Sequence, residues 1–133
     1  MDFSGTEAVL IDLDGTVWKG ESLLPGAERF FRFVRETGLS FLAATNNTHS
    51  PREYEEKFER FGIPIGEEHV FTCTVAAGMY LGQQYPEGGR AYVIGKPARA
   101  GAVREAGFTI LGDARERADI VVVGSTFDLD RKS

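Results

Sequence analysis

The apolar residues of the chain form short continuous runs that alternate with segments of helical periodicity. The run at 8–11 stops at an acidic turn, and the run at 39–44 stops at a polar one, which is typical of buried strands in a parallel sheet. Apolar positions recur at helical spacing over 27–34 and again over 54–61, each time after a proline and before a glycine. This alternation predicts an α/β fold with a Rossmann-like parallel sheet flanked by helices.

The same alternation continues in the second half of the chain. A helix is predicted over 74–81, a strand over 91–94, a helix over 98–106, a weak strand over 108–111 and a strand over 120–123. The segment 83–89 is polar and carries one proline and two glycines, which favours a linker.

Composition narrows the classes of function. The 133 residues are 42% hydrophobic and 26% charged, with a net charge of −5, as in ordinary globular proteins and unlike a nucleic-acid-binding surface. Cys73 is the single cysteine, so no intrachain disulfide can form, which suits a reducing compartment. No signal peptide or membrane-spanning window is recognised. We therefore expect a cytoplasmic protein that binds neither nucleic acid nor membrane.

The acidic turn after the first strand is the most informative segment. Side chains alternate along a strand, so Asp12 and Asp14 are expected on one side and Leu13 on the other. Gly15 then allows a sharp turn. Ligands bind at the carboxyl ends of strands in open α/β sheets, and two adjacent carboxylates require a cation or a proton between them. The alternative, a solvated acidic turn, explains one aspartate well but two poorly.

A second polar segment ends the second strand. Thr45, Asn46 and Asn47 offer a hydroxyl and two carboxamides just before a helix that starts near Ser50, and these donors can hold a phosphate. Taken alone, the segment is better explained as an Asn-rich turn with a helix cap. Its expected position beside the acidic turn favours an anion site.

Together these segments resemble the haloacid dehalogenase superfamily. The resemblance is to its 4-nitrophenylphosphatase and nucleotide or sugar-phosphate phosphatase branch, class IIA, whose members carry a C2-type α/β cap. It rests on the sequences Asp12-Leu13-Asp14-Gly15-Thr16, Leu24-Pro25-Gly26-Ala27, Thr45-Asn46-Asn47, Ala91-Tyr92-Val93-Ile94-Gly95 and the segment 118–124, together with Trp18 and Gly20.

The resemblance implies a mechanism for this chain. Asp12 would be the nucleophile that forms an aspartyl-phosphate, and Asp14 the general acid and base. Mg²⁺ would be held by the Asp12 side chain and the Asp14 backbone carbonyl. Thr45 would hydrogen-bond a phosphoryl oxygen, while Asn46 and Asn47 would position the phosphate of a small phosphorylated metabolite.

Two neighbours of these segments have competing interpretations. Trp18 is expected either beside the site entrance or as a core aromatic residue. For His49, a histidine at a helix entry without a catalytic role is the preferred interpretation.

The sequence departs from the family pattern in its second half. The family also needs a lysine and a distal acidic motif after the cap. Gly95-Lys96-Pro97 and Gly112-Asp113 resemble them, but this segment aligns better with the start of the cap. We therefore predict that residues 1–86 form the N-terminal half of the catalytic core and that 87–133 begin an incomplete cap.

This organisation predicts that the chain alone is a weak or inactive phosphatase. An unpaired sheet edge would then be covered by self-association or by a missing C-terminal half. Two other classes stay open: a non-catalytic relative that binds phosphate or a partner, and, less favoured, a receiver-type signalling domain.

Overall fold

The computed structural model describes residues 4–125 and confirms the predicted α/β fold. The elements in chain order are β1 (Ala8–Asp12), β2 (Trp18–Lys19), β3 (Ser22–Leu23), α1 (Ala27–Thr37), β4 (Ser40–Thr45), α2 (Pro51–Arg60), a 3₁₀ helix (Glu67–His69), β5 (Val70–Thr72), α3 (Cys73–Gln84), β6 (Gly89–Ile94), α4 (Pro97–Glu105), β7 (Phe108–Ile110) and β8 (Ile120–Val123).

These elements group into two compact units. Among the described residues, the first unit contains 4–46 and Pro51–Phe71, and the second contains Asn47–Ser50 and 72–125. Helix α3 thus belongs to the second unit, where it packs against α4. The division into a core half ending at residue 86 and a cap beginning at 87 remains a prediction.

The first unit is built on a three-stranded sheet in the order β1-β4-β5. Strands β1 and β4 are parallel, with Asp12 opposite Ala44. Large side chains from α1 and α2, including Phe31 and Phe58, pack with Leu13 into a core from which water is excluded. The opposite face of the sheet is open, since Leu10 is 71% exposed.

The second unit repeats this plan with a parallel sheet in the order β7-β6-β8. Its core contains Leu81 from α3, Val103 from α4 and Phe108 from β7. Here too one face of the sheet is open, because Val121 and Val123 on β8 are 60% and 63% exposed.

Most predicted elements are present with boundaries shifted by a few residues. The connection between 15 and 26 contains the antiparallel hairpin β2–β3, which is too short to leave a periodic pattern. Strand β5, with three residues, was also not predicted. The predicted linker over 83–89 is shorter in the structure, because α3 continues to Gln84 and β6 begins at Gly89. Within 4–125, every helix is too short or too polar to cross a membrane.

Candidate active site

The turn after β1 separates one buried side chain from two exposed ones. Leu13 is fully buried in the core, while Asp12 and Asp14 are exposed. The Leu13 carbonyl accepts hydrogen bonds from the backbone N–H groups of Thr16 and Val17, at 3.1 and 2.8 Å. Gly15 has a φ of +89°, a conformation that a side chain would strain. The chain therefore turns sharply at the carboxyl end of β1 and leaves both carboxylates on the solvent side.

The Asp14 carboxylate is held by three side chains of the first unit. The indole Nε1 of Trp18 donates to Asp14 Oδ1 at 2.9 Å. The Tyr54 hydroxyl donates to Oδ2 at 3.2 Å, and Thr45 Oγ1 lies 3.5 Å from the same oxygen. These donors come from three separate segments of the first unit, so they fix both the position and the rotation of the carboxylate.

The Asp12 carboxylate has a different setting. Asp12 is the last residue of β1 and pairs with Ala44, which directly precedes Thr45 on β4. Its Oδ2 accepts a hydrogen bond from Thr16 Oγ1 at 3.2 Å, at an exposed position. The parallel register thus brings the ends of the two strands together, and the Asp12 carboxylate is directed to solvent.

Tyr54 is a site residue that the sequence interpretation assigned only to the core. It lies in the first turn of α2 and is 3% exposed. Burial raises the pKa of its hydroxyl from 10.0 to about 12, a hydrogen bond with Thr45 lowers it, and the charge of Asp14 with the hydrogen bond to it raises it. The signal available in the sequence was a tyrosine at the first position of a stripe otherwise formed by Phe58 and Phe61.

Trp18 is a core residue rather than a residue at an entrance. Its side chain is fully buried, stacks on Tyr54 with ring centroids 6.0 Å apart and contacts Phe58 edge to face at 4.9 Å. The indole N–H nevertheless reaches Asp14. Packing of Trp18 in the hydrophobic core therefore also fixes the position of the Asp14 carboxylate.

The structure divides the predicted Thr-Asn-Asn segment. Thr45 is buried at the end of β4 and Asn46 is exposed, both in the first unit. Asn47 belongs to the second unit, where its Oδ1 accepts from the Thr48 N–H at 2.7 Å and its carbonyl accepts from the Cys73 thiol at 3.0 Å. Among the predicted site residues, Asp12, Asp14, Thr45 and Asn46 are thus in one unit.

The residues that resemble the family's lysine motif and distal acidic motif lie in the second unit. Lys96 Nζ lies 3.3 Å from Nε2 and 3.5 Å from Nδ1 of His49. Asp113 lies in an exposed turn, where its Oδ1 accepts from the backbone N–H of Arg115 at 2.9 Å. In the part of the chain that the structure describes, no group of three or more His, Cys, Asp or Glu side chains is placed to hold a metal ion.

Comparisons with known proteins give a consistent result. The family model described as haloacid dehalogenase-like hydrolase matches residues 9–109. A 5′-nucleotidase of Bacillus subtilis is 39% identical over 116 residues, which cover 86% of this chain and 44% of that protein. A phosphoglycolate phosphatase of Arabidopsis thaliana is 36% identical over 113 residues, 83% of this chain and 38% of that protein.

A solved structure agrees with these sequence matches. The glycerol phosphate phosphatase of Mycobacterium tuberculosis, in complex with magnesium, superposes with a TM-score of 0.84 at 29% identity. The superposition covers 94% of this chain and 38% of that one. The chain therefore spans less than half the length of each of these three relatives.

Proposed function

The chain belongs to the haloacid dehalogenase-like hydrolases, and from this membership we propose that its first unit carries the nucleophile half of a magnesium-dependent phosphatase centre. The substrates would be small phosphorylated metabolites, hydrolysed through an aspartyl-phosphate intermediate. The observation that carries the proposal is the contrast between two neighbouring carboxylates. Asp14 is fixed by Trp18 and Tyr54, whereas Asp12 is directed to solvent at the end of β1.

The exposed carboxylate of Asp12 is suited to be the nucleophile. An oxygen of Asp12 attacks phosphorus, the bond from phosphorus to the leaving oxygen breaks, and an acyl phosphate forms on Asp12. The hydrogen bond from Thr16 orients this carboxylate without enclosing it. Attack from a rigid strand end requires little reorganisation, because β1 is paired with β4 along its whole length.

The fixed carboxylate of Asp14 is suited to proton transfer. In its protonated form it gives its proton to the leaving oxygen, and it then takes a proton from the water that hydrolyses the acyl phosphate. Both steps depend on the angle at which a carboxylate oxygen faces the reacting atom. The hydrogen bonds from Trp18 and Tyr54 set that angle.

The oxygen donors at this strand end fit Mg²⁺. The ion prefers hard oxygen ligands and keeps several waters, so it needs only one or two groups from the protein. The Asp12 carboxylate and the Asp14 backbone carbonyl are the groups assigned to it. When bound, Mg²⁺ would offset the repulsion between the carboxylate of Asp12 and an anionic phosphate.

Within the first unit, phosphate binding is assigned to Thr45 and Asn46. The Thr45 hydroxyl is buried at the end of β4 and lies 3.5 Å from an oxygen of Asp14, so it can donate to a phosphoryl oxygen beside that carboxylate. The exposed carboxamide of Asn46 follows directly. Neutral donors of this type hold a phosphate without adding a full positive charge.

The substrate class follows from the relatives, which are named for nucleotides, phosphoglycolate and glycerol phosphate. Each is a small phosphate monoester, and no nucleic-acid or membrane partner is part of the proposal. A cytoplasmic location is also proposed, supported by the single cysteine.

We expect the 133-residue chain alone to turn over slowly or not at all. The support is that the chain spans only 44% and 38% of the two curated relatives that it matches. The test is hydrolysis of 4-nitrophenyl phosphate by the purified chain, with Mg²⁺ and with a chelator. Efficient magnesium-dependent hydrolysis would contradict the expected weak activity.

The nucleophile assignment has its own test. Asp12→Asn should reduce any observed hydrolysis to background, while Asp113→Asn, an exposed aspartate of the second unit, should leave it unchanged. Unchanged turnover in Asp12→Asn would remove Asp12 from this role. Binding of Mg²⁺ and phosphate without turnover would support the second candidate function, a non-catalytic phosphate-binding relative.

A further inference from the structure

The sheet of the second unit has a topological switch point. From β6 the chain passes through α4 to β7 on one side, and later enters β8 on the other side of β6. Strands β6 and β8 are parallel and in register, with Ile94 opposite Val123. Their carboxyl ends are therefore adjacent, and in open α/β sheets this is where ligands bind.

Gly95 follows β6 and Gly124 follows β8, and a buried arginine occupies the space that side chains at these two positions would fill. Arg99, in the first turn of α4, is 7% exposed. A Cβ atom added to Gly124 would overlap its guanidinium group, and one added to Gly95 would lie 3.2 Å from its Cδ. The guanidinium thus lies directly against the ends of β6 and β8.

This guanidinium lacks an anionic partner among residues 4–125. Its Nε is buried without a hydrogen-bond acceptor. Its Nη2 makes one long contact, 3.8 Å to the sulfur of Cys73. Arginine keeps its charge at every accessible pH, and a buried charge without an opposite charge is destabilising.

Helix α4 adds a second reason to expect an anion here. Its nine residues start at Pro97, directly after the end of β6. Lys96, at the N-cap position, makes no side-chain hydrogen bond to the helix start. The amino end of a helix carries partial positive charge and favours anions. The amino end of α4 and the guanidinium of Arg99 therefore both favour a negatively charged ligand.

We propose that Arg99 binds a small oxyanion, a phosphate or a carboxylate, at the switch point between β6 and β8. This site uses neither Asp12 nor Asp14 and does not depend on the proposed phosphatase function. The bound anion would neutralise the guanidinium and accept the hydrogen bonds that Arg99 does not make within residues 4–125.

Cys73 provides a local reporter, because it is the only cysteine and contacts Arg99. Alkylation of Cys73 by iodoacetamide, which is uncharged, is followed in the full chain with increasing inorganic phosphate or acetate. Alkylation should slow about threefold when the anion concentration is twice its dissociation constant. Protection by phosphate or by acetate identifies which oxyanion is preferred.

Variants connect this protection to Arg99. Arg99→Met should abolish it, and Arg104→Met, in the last turn of the same helix, should retain it. Gly124→Ala should displace the guanidinium and also abolish protection. Gly101→Ala is its control, since a Cβ at that position meets no atom within 4 Å.

The thermal midpoint is a second measurement. In anion-free buffer Arg99→Met should have a higher midpoint than the wild type, because it removes a buried charge that has no opposite charge among residues 4–125. A midpoint lowered equally with and without phosphate would assign Arg99 a purely structural role and overturn the proposal. The proposal would also be overturned if neither anion slows the alkylation of Cys73 in the wild-type chain. The same holds if the anion still protects Cys73 in Arg99→Met but no longer does so in Thr45→Val.

Discussion

The two units of the chain share a plan but differ at the carboxyl ends of their strands. Each has a three-stranded sheet with helices on one face and an open face on the other. In the first unit the strand ends carry Asp12 and Thr45, with Asp14 fixed in the turn. In the second unit Gly95 and Gly124 follow strands β6 and β8, and the side chain of Arg99 lies against both glycines. The shared fold thus determines where polar side chains are placed, while the residues at those positions determine their charge. The side chains are anionic in the first unit (Asp12 and Asp14) and cationic in the second (Arg99).

The largest expected effect tests the division into a packed face and an open face. Leu13→Ala, at a fully buried position, should lower the free energy of unfolding by about 3 kcal/mol. Leu10→Ala, on the open face, should change it by less than about 0.5 kcal/mol. Chemical denaturation of both variants measures the difference. Equal losses would mean that the open face is covered in solution.

The second prediction concerns Trp18, which is part of the hydrophobic core and also donates a hydrogen bond to the Asp14 carboxylate. Trp18→Phe keeps an aromatic ring but removes the indole N–H that binds Asp14. It should lower the free energy of unfolding by about 2 kcal/mol, from lost packing and one lost hydrogen bond. The control in the second unit is Phe108→Leu, which removes packing alone. If denaturation gives the Trp18 variant wild-type stability, the proposed support of Asp14 is wrong.

A smaller effect on the free energy of unfolding is expected from removing the hydroxyl of Tyr54 on α2. Tyr54→Phe should lower the free energy of unfolding by about 1 kcal/mol, because the hydroxyl that bonds Asp14 and Thr45 is removed without loss of the ring. Tyr80→Phe, whose side chain is 61% exposed, is the matched control and should have no effect. Denaturation curves that rank the two variants in the opposite order would contradict the site geometry.

The same hydroxyl predicts a dependence of stability on pH. Burial raises the pKa of Tyr54 from 10.0 to about 12, so between these values the unfolded chain releases this proton and the folded chain keeps it. The stability that comes from this difference is complete below pH 10 and is lost as the pH rises through 12. Unfolding midpoints measured across this range should fall less steeply in Tyr54→Phe. Identical slopes would show that Tyr54 titrates as in the unfolded chain.

The smallest expected effect concerns the open faces themselves. Leu10→Ser and Val123→Ser replace exposed apolar residues, one in each unit, and should change the free energy of unfolding by less than about 0.5 kcal/mol. Both should reduce self-association measured by sedimentation, because open apolar faces favour association. Unchanged sedimentation in both variants would exclude these faces as contact surfaces between copies.

Sequence reasoning succeeded where a pattern extends over many residues. The strand over 120–123 was predicted with both of its boundaries, and the helix at Pro51 with its start, because apolar patterns there combine with clear end signals. The hairpin β2–β3 and strand β5 were not predicted, since two or three residues establish no period. Pairing in these elements comes from tertiary contacts.

The same limit applies to the candidate site. Asp12, Asp14 and Thr45 were predicted as site residues because they lie at the carboxyl ends of predicted strands, and their roles stay predictions. Tyr54 was assigned only to the core, and Trp18 either to the site entrance or to the core, because an aromatic residue among apolar ones has the same pattern whether or not it binds a carboxylate. Which polar atom of a buried side chain finds a partner depends on packing between segments distant in the chain.

The central claim is that Mg²⁺ and phosphate bind at the end of β1, beside the carboxylate that Trp18 holds. Trp18 is the only tryptophan, so its indole N–H gives a single NMR signal that reports on Asp14. Titration with Mg²⁺ and then with inorganic phosphate should shift this signal in a saturable manner in the wild-type chain and leave it unshifted in Asp12→Asn. A wild-type signal that does not move, or an equal shift in both proteins, would contradict the claim.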